Sequence, residues 1–295
     1  MHEKNEGNRY VWATLLNIII TLAEVIGGLL SGSLALLSDA VHNFTDTLSL
    51  IIAGVAQKIS CKEQNERNTF GYRRAQIIAA FVNSIFLVVV TVILIFESLQ
   101  GFMEPHPIKG GLMLIIAFIG LVANLGTALI LHNHNEESLN QRAAYLHIMA
   151  DTLSSVGVLL AGVLIYFFHI NWIDPLVTLF VAIYMLKETW PVLKKTTQIL
   201  MQANIDVPLD AIVAAVKQFP HVKGCHHFHT WQIDENNILL SFHVTLDDMQ
   251  LSDAEELVNT IRRQIAAEFG VSHVTVQTEV DHVDRGLISD YDWDN

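Results

Sequence analysis

The sequence predicts an α-helical membrane protein with six transmembrane helices and a small cytosolic α+β domain at the C-terminal end. Of the 295 residues, 52% are hydrophobic and only 16% are charged, whereas a soluble domain usually carries about 25% charged residues. The apolar residues form long blocks up to about residue 193, and the rest of the chain has the composition of a soluble domain.

Six apolar stretches approach or exceed the roughly 20 residues that a helix needs to cross a bilayer. They lie at 10–30, 34–57, 76–100, 110–132, 143–168 and 173–192. The first run is too long for the core of a signal peptide, so it predicts a membrane span. We therefore expect a cytosolic N-terminal segment at 1–9, a transmembrane domain at 10–199 and a cytosolic domain at 200–295.

The positions of Lys and Arg predict the orientation. With six spans, the N-terminus, the loops 58–75 and 132–142 and the segment after the sixth span share one side, which carries 11 of these residues. The other side carries only Lys109. Because basic residues are enriched in cytoplasmic loops, we expect a multi-pass protein of the cell (inner) membrane with both termini in the cytosol.

The net charge of −13 is concentrated in the last third of the chain. Residues 1–199 carry −2 and residues 200–295 carry −11. Such an acidic domain argues against nucleic acid as a partner and suits a domain that meets cations. The two cysteines, Cys61 and Cys225, indicate neither a disulfide framework nor a zinc ribbon.

The C-terminal domain shows an αββαβ order. A helix is expected at 208–219, strands at 225–233 and 238–246, and a third strand at 271–280. Between the last two strands, Ser252 is the expected cap of a helix that Gly270 ends. This order predicts helices packed on one face of a sheet.

The segment His-x-x-x-Asp-Thr-Leu-Ser occurs twice, at 42–49 in the second span and at 147–154 in the fifth. Since these spans run in opposite directions, the copies are antiparallel, as in transporters built from inverted repeats. A charged residue at the bilayer centre costs roughly 2.5–3.5 kcal/mol, so both copies require compensation.

Residues four apart on a helix share a face, so each copy can direct one nitrogen and one oxygen to the same point. His42 and Asp46 with His147 and Asp151 then supply two nitrogens and two oxygens. Zinc prefers such a tetrahedral set, whereas calcium and magnesium require more oxygen ligands. We predict a divalent-cation transport site there.

Other polar residues lie in the predicted spans. Asp39 is either an outer acceptor that orients His42 or a contact near the helix start. The remaining ones are expected to bridge helices: Asn17, Glu24, Asn83 and Asn124. The predicted boundaries place His42 in the outer half of its span and Asp151 nearer the cytosolic end of its own, which leaves the depth of the site open.

Seven of the 14 histidines fall in the C-terminal domain. His226 and His229 are an odd number of residues apart, which predicts opposite faces of a strand. A tentative cytosolic metal set consists of His226, His243, His273 and Glu279. The alternative is that most of these histidines are ordinary surface residues.

The chain resembles the cation diffusion facilitator family, bacterial zinc-transporter type, from about residue 9 to 279. The resemblance is carried by Ser31-Gly-Ser-Leu-Ala-Leu-Leu-Ser-Asp-Ala-Val-His42, Phe70-Gly-Tyr-Arg73, Arg142-Ala-Ala-Tyr-Leu-His147 with Asp151, and His226-His-Phe-His-Thr-Trp231. It implies a homodimer, a metallochaperone-like cytosolic domain and zinc export in exchange for protons. It also implies the same four transport ligands.

Two departures from the family pattern affect further metal sites. The loop at 65–72 offers no histidine, so the second site that some members carry there is expected to be missing. On the last strand, Gln277 and Glu279 stand where some members have His and Asp, which weakens a two-metal site in the cytosolic domain.

We therefore expect a secondary active transporter that exports Zn²⁺, with Cd²⁺ and Co²⁺ as plausible further substrates, and not an enzyme. No His-Glu-x-x-His motif is present, and we predict no catalytic or cofactor-binding residue. The expected partners are the cation, protons, membrane lipid and a second copy of the chain. The alternatives are a metal sensor without transport, a passive cation channel, or the same transporter with another preferred metal.

Overall fold

A computed structural model describes the backbone of residues 2–104, 106–131, 139–205, 207–280 and 287, and the side chains of the same residues except 2–16 and those at 127–131 and 139–150. Six long helices come first: α1 (His2–Ser31), α2 (Leu34–Ser60), α3 (Arg74–Met103), α4 (Gly110–Leu131), α5 (Leu139–Phe168) and α6 (Ile173–Leu200). They are followed by α7 (Leu209–Val216), β1 (Val222–Gln232), β2 (Ile238–Leu246), α8 (Leu251–Phe269) and β3 (His273–Val280).

The six long helices overlap the six predicted spans. Within the described residues, three helical stretches are long and apolar enough to cross a membrane: Arg74–Met103, Asp151–Phe168 and Ile173–Leu200. Asn17–Ser31 and Gly110–Gly126 are shorter apolar stretches, and α2 carries the charged residues of the predicted site. The helical membrane architecture is confirmed, and the count of six spans stays a prediction.

The described chain forms two compact units. The first runs up to Val55 and from Val82 to Leu193. In it, α4 packs against both α1 and α5. At Gly110, an added Cβ would lie 2.9 Å from the backbone nitrogen of Tyr166, so a residue without a side chain is required for α4 to approach α5 this closely.

The core of the first unit lies where α2, α4 and α5 meet. Leu36 and Met113 are fully buried there, and Val158 is 1% exposed. This cluster joins the first turns of α2, through α4, to the second half of α5. The two helices that carry the predicted cation ligands are therefore fixed to each other by apolar packing.

The second unit runs from Ala56 to Phe81 and from Lys194 onward. Its three-stranded sheet has the order β1-β2-β3, with β1 antiparallel and β3 parallel to β2. The αββαβ order is confirmed. Phe228 of β1 and Phe242 of β2 stack with ring centroids 4.9 Å apart, and apolar residues of α7 and α8 pack on this face of the sheet.

Local sequence signals predict the C-terminal end of α8 correctly and its N-terminal cap wrongly. Gly270 adopts a left-handed conformation with φ of 66° and ends the helix as predicted. The predicted cap Ser252 is wrong, because α8 already begins at Leu251 and Gln250 occupies the cap position. The hydroxyl of Ser252 instead approaches the carboxylate of Asp253 at 3.4 Å.

Candidate metal centres

Three of the four predicted transport ligands have described side chains, and they meet between α2 and α5. His42 Nε2 lies 3.0 Å from Asp151 Oδ1 and 3.6 Å from Asp46 Oδ2. One ligand atom from each residue lies within 4.8 Å of the other two. Two ligands about 2.1 Å from a tetrahedral zinc ion stand roughly 3.4 Å apart, so this spacing suits one small divalent cation.

His147 is the fourth predicted ligand. It belongs to α5 and precedes Asp151 by four residues, but its side chain lies outside the described residues. The spacing within the helix would place both residues on one face.

The contact between His42 and Asp151 shows that the two residues meet, although the predicted boundaries placed them at different depths. The predicted fifth span began at 143, whereas α5 begins at Leu139. Asp151 is therefore preceded by about three helical turns rather than two. This longer helix brings Asp151 level with His42.

Asp39 joins α2 to α5 beside this group. Its side chain is buried, and its two oxygens accept hydrogen bonds from Ser154 Oγ at 3.3 Å and Ser155 Oγ at 3.1 Å. Ser154 is the last residue of the repeated segment, directly after Asp151-Thr-Leu. Asp39 thus fixes the helical turn that follows Asp151 and holds the two ligand-bearing helices in register.

The bridging role expected of the other polar residues is confirmed for three of them. Asn17 Nδ2 donates to Thr47 Oγ1 at 3.2 Å. The other two bridges are from Asn43 Nδ2 to Glu24 Oε2 at 2.9 Å and from Asn124 Nδ2 to Ser155 Oγ at 2.9 Å. For Asn83, Oδ1 is buried and has no hydrogen-bond partner among the described residues.

A second group of ligand-type side chains lies in the second unit, on the face of the sheet opposite to α7 and α8. Glu279 Oε1 is 2.7 Å from His243 Nδ1, and Glu279 Oε2 is 3.2 Å from His226 Nε2. The three residues offer ligand atoms within 4.8 Å of one another. Two imidazole nitrogens and one carboxylate at this spacing fit three positions of a tetrahedral zinc site.

A β-bulge in β1 enlarges this cluster. His226 pairs with His243, but His229 pairs with Ser241, because one extra residue is inserted between them. Ser241 and His243 share one face of β2, so His226 and His229 also share it. The prediction of opposite faces is wrong, since the bulge breaks the alternation on which it rested.

His227 lies at the bulge with a φ of 57°. Its ring centroid is 4.6 Å from that of His229 and 4.6 Å from that of His243. Burial and the neighbouring imidazoles of His229, His243 and His226 lower the pKa of His227, although Glu279 acts in the opposite direction. A neutral imidazole is the form that binds metal.

His273 does not belong with this cluster. It pairs with Leu239 at the start of β3, whereas Glu279 pairs with Thr245 near the other end. Six residues of strand separate His273 from Glu279, which is about 20 Å. The sequence-based set is therefore corrected to His226, His243 and Glu279, with His227 and His229 as neighbours that no sequence pattern indicated, because neither the bulge nor the positive φ has a residue signature here.

The loop after α2 is tied to the β1–β2 turn within the second unit. Arg73 Nη1 lies 3.6 Å from Asp234 Oδ2. Burial alone would raise the pKa of Asp234. Hydrogen bonds from the Asn237 amide and from the backbone N–H groups of Asn236 and Asn237, with the charge of Arg73, outweigh burial and lower that pKa. The ionised carboxylate of Asp234 in this turn therefore anchors the Phe70-Gly-Tyr-Arg73 segment through Arg73.

Two family models together match nearly the whole chain. The model of the cation efflux transmembrane domain matches residues 11–201. The model of the cytoplasmic domain of cation efflux proteins matches residues 206–281.

Curated relatives are similar over almost the full length. The zinc transporter ZitB of Pectobacterium atrosepticum is 35% identical over 288 residues, which cover 96% of this chain and 88% of the relative. ZitB of Escherichia coli is 35% identical over 94% of this chain and 88% of its own length. The cadmium, cobalt and zinc/H(+)-K(+) antiporter of Bacillus subtilis is 37% identical over 95% of this chain and 92% of its own. The resemblance drawn from the motifs is confirmed, and the chain belongs to the cation efflux family.

Proposed function

We propose that the protein exports Zn²⁺ from the cytosol in exchange for protons, with Cd²⁺ and Co²⁺ as further substrates. The observation that carries this proposal is the convergence of His42, Asp46 and Asp151 between two helices of the membrane unit, at spacings that suit one divalent cation. Relatives named as zinc transporters and as a cadmium, cobalt and zinc antiporter support it.

The transport ligands in this proposal are His42, Asp46, His147 and Asp151. Zinc binds when both imidazoles are neutral and both carboxylates are ionised, so protons compete with the cation for the same atoms. On the cytosolic side, where protons are scarcer, the cation binds. On the outer side, protons displace it, and the return of the protonated site lets the inward proton gradient drive export.

The second group has a different role in the proposal. His226, His243 and Glu279 hold a resident Zn²⁺ in the cytosolic domain, where three protein ligands leave one position of the tetrahedron for a further donor. Such an ion would neutralise part of the strong negative charge of residues 200–295. It would also lock the bulged β1 strand to β3 through β2.

The arrangement of the chain completes the proposal. We place the N-terminal segment 1–9 and the domain 200–295 in the cytosol and the domain 10–199 in the cell (inner) membrane, as the Lys and Arg distribution indicates. The protein works as a homodimer and not as an enzyme.

Zinc uptake into proteoliposomes tests the proposed function. The purified full-length chain, reconstituted with a zinc-sensitive dye inside the vesicles, should take up zinc in a saturable way that accelerates when the lumen is acidic. Vesicles with Asp46→Ala protein serve as the control and should remain near the background. Zinc binding without flux would instead indicate a sensor, and non-saturating flux that ignores the pH gradient would indicate a channel.

A further inference from the structure

A buried carboxyl lies in the membrane unit outside the set of cation ligands. Glu24 of α1 is 1% exposed. A carboxylate is costly to bury in its ionised form unless a cation or several donors compensate for the lost water. The groups around Glu24 therefore decide whether its carboxyl is ionised.

Two helices enclose its carboxyl group. On the α2 side, Asn43 Nδ2 lies 2.9 Å from Glu24 Oε2. On the α4 side, a Cβ added to Gly120 would lie only 2.5 Å from Glu24 Oε1. The glycine thus makes room for the carboxyl, and among the described residues the hydrogen bond to it comes from the amide of Asn43.

The charges around Glu24 do not favour its ionised form. On α2, the negative charge of Asp39 acts against a second negative charge on Glu24. On α4 the facing residue is Gly120, and one turn away on α1 stands the neutral Thr21, whose hydroxyl bonds the carbonyl of Asn17. The sequence contains no Lys or Arg at 10–57, 110–141 or 143–186, so the basic side chains that α2 and α5 offer in these stretches are the imidazoles of His42 and His147.

These surroundings suit a carboxyl that carries a proton when no cation is bound. The amide of Asn43 can serve both states, because it donates to a carboxylate through its nitrogen and accepts from a carboxylic acid through its oxygen. Asn43 directly follows His42 in α2 and precedes Asp46 by less than one turn. A divalent cation at His42 and Asp46 would therefore lie within one helical turn of the residue that bonds Glu24, in a medium of low dielectric where its charge acts strongly.

We propose that Glu24 is a further proton-binding residue of the exchange, which releases its proton to water when the cation binds and regains a proton when the cation leaves. This inference rests on the proposed function. The proton balance is simple: the carboxylic acid becomes a carboxylate, the positive charge of the cation compensates for it, and no other bond is made or broken. Glu24 contributes to coupling without contacting the cation.

Substitution Glu24→Gln tests the proposal, since the amide keeps the size and one hydrogen bond of the acid but cannot release a proton. In full-length protein in weakly buffered detergent, the number of protons released per zinc bound should fall relative to wild type, while zinc still binds. The infrared difference spectrum of zinc binding should show the loss of a carboxylic-acid C=O band in wild type, and this band should be missing in the variant.

Two further variants keep the test decisive. Asn17→Ala removes another bond between α1 and α2 but no titratable group, so it should leave proton release and the infrared band unchanged. Gly120→Ala displaces the carboxyl without altering it, so it should shift the band and reduce proton release; it also replaces Glu24→Gln if that variant does not fold.

Proton release and an infrared band that are both unchanged in Glu24→Gln would overturn the proposal. The same two readouts unchanged in Gly120→Ala would also overturn it. Both readouts require only zinc binding. If wild type binds zinc with loss of the band but moves none in vesicles, the proposed transport fails while the protonation of Glu24 stands.

Discussion

The membrane site and the cytosolic cluster use the same kinds of donor, imidazole and carboxylate, on different backbones. In the membrane unit, one helix supplies His42 and Asp46 by spacing alone, and a second helix supplies Asp151. In the cytosolic domain, three strands must be in register before His226, His243 and Glu279 meet. Helical spacing is visible in a sequence, whereas strand register and a bulge are not.

The two groups also differ in exposure. The side chains of His42, Asp46 and Asp151 are 14%, 28% and 13% exposed. In the cytosolic cluster His226 is only 3% exposed, whereas His243 and Glu279 are 20% and 17% exposed. The difference therefore lies in one deeply buried imidazole, which solvent reaches less easily than any of the three described ligands of the membrane site.

The largest expected effect separates the two groups directly. Asp151→Ala should lower the zinc transport rate by more than about 100-fold. Loss of a group that only hydrogen-bonds a metal ligand costs up to roughly 100-fold, and loss of the ligand itself should cost more. Glu279→Ala, the matched loss of a carboxylate from the cytosolic cluster, should leave transport active. Equal losses in the vesicle uptake assay would remove the distinction between a transport site and a resident site.

Asp39→Asn should have the next largest effect. The amide keeps the shape of the carboxyl but weakens its acceptance from Ser154 and Ser155, so we expect a roughly 10- to 100-fold loss of zinc affinity or transport. Ser155→Ala, which removes one of the two bonds, should lose less. A wild-type affinity in Asp39→Asn, measured by zinc titration, would show that the α2–α5 bridge does not position the ligands.

Zinc stoichiometry should distinguish the groups more finely. Glu279→Gln is expected to lower the zinc bound by the full-length protein by one ion per protomer, because it removes the carboxylate shared by His226 and His243. His273→Ala is the control and should bind as much zinc as wild type, since the register places it far from Glu279. A loss of zinc in His273→Ala would contradict the corrected ligand set.

The bulge that builds the cytosolic cluster can be tested through His227, whose φ is 57°. His227→Val should lower the free energy of unfolding by about 1–3 kcal/mol, since a β-branched residue is strained at this φ. His227→Gly removes that strain and should stay much closer to wild type. Thermal unfolding of the two variants without metal measures the difference, and equal stability would mean that the bulge is not retained in solution.

The smallest effect concerns pH. Because the pKa of His227 is lowered in the folded chain, the unfolded chain binds more protons between that lowered value and about 6.5. The contribution of His227 to stability is therefore complete above about pH 6.5 and is lost as the pH falls below it. In the absence of metal, thermal unfolding of His227→Gln should show a smaller loss of stability at acid pH than that of wild type. An equal loss would argue against the lowered pKa of His227.

The sequence predicts the ligands of the membrane site more completely than those of the cytosolic cluster, and the reasons are physical. The repeat of His-x-x-x-Asp places donors on one helical face whatever the rest of the fold does. The contact between His42 and Asp151 did need coordinates, because α5 begins four residues before the apolar stretch at 143. In the cytosolic domain, the alternation rule failed at the bulge after His226, and the parallel register of β3 removed His273.

The most direct test of the central claim is zinc K-edge absorption spectroscopy on the full-length Glu279→Ala protein, loaded with one zinc ion per protomer. With the cytosolic cluster disabled, the account predicts two imidazole nitrogens and two carboxylate oxygens at about 2.0–2.1 Å from the metal, and the loss of this signal in Asp46→Ala/Asp151→Ala protein. A shell with sulfur, a shell of six oxygens, or an unchanged spectrum after loss of both aspartates would contradict it.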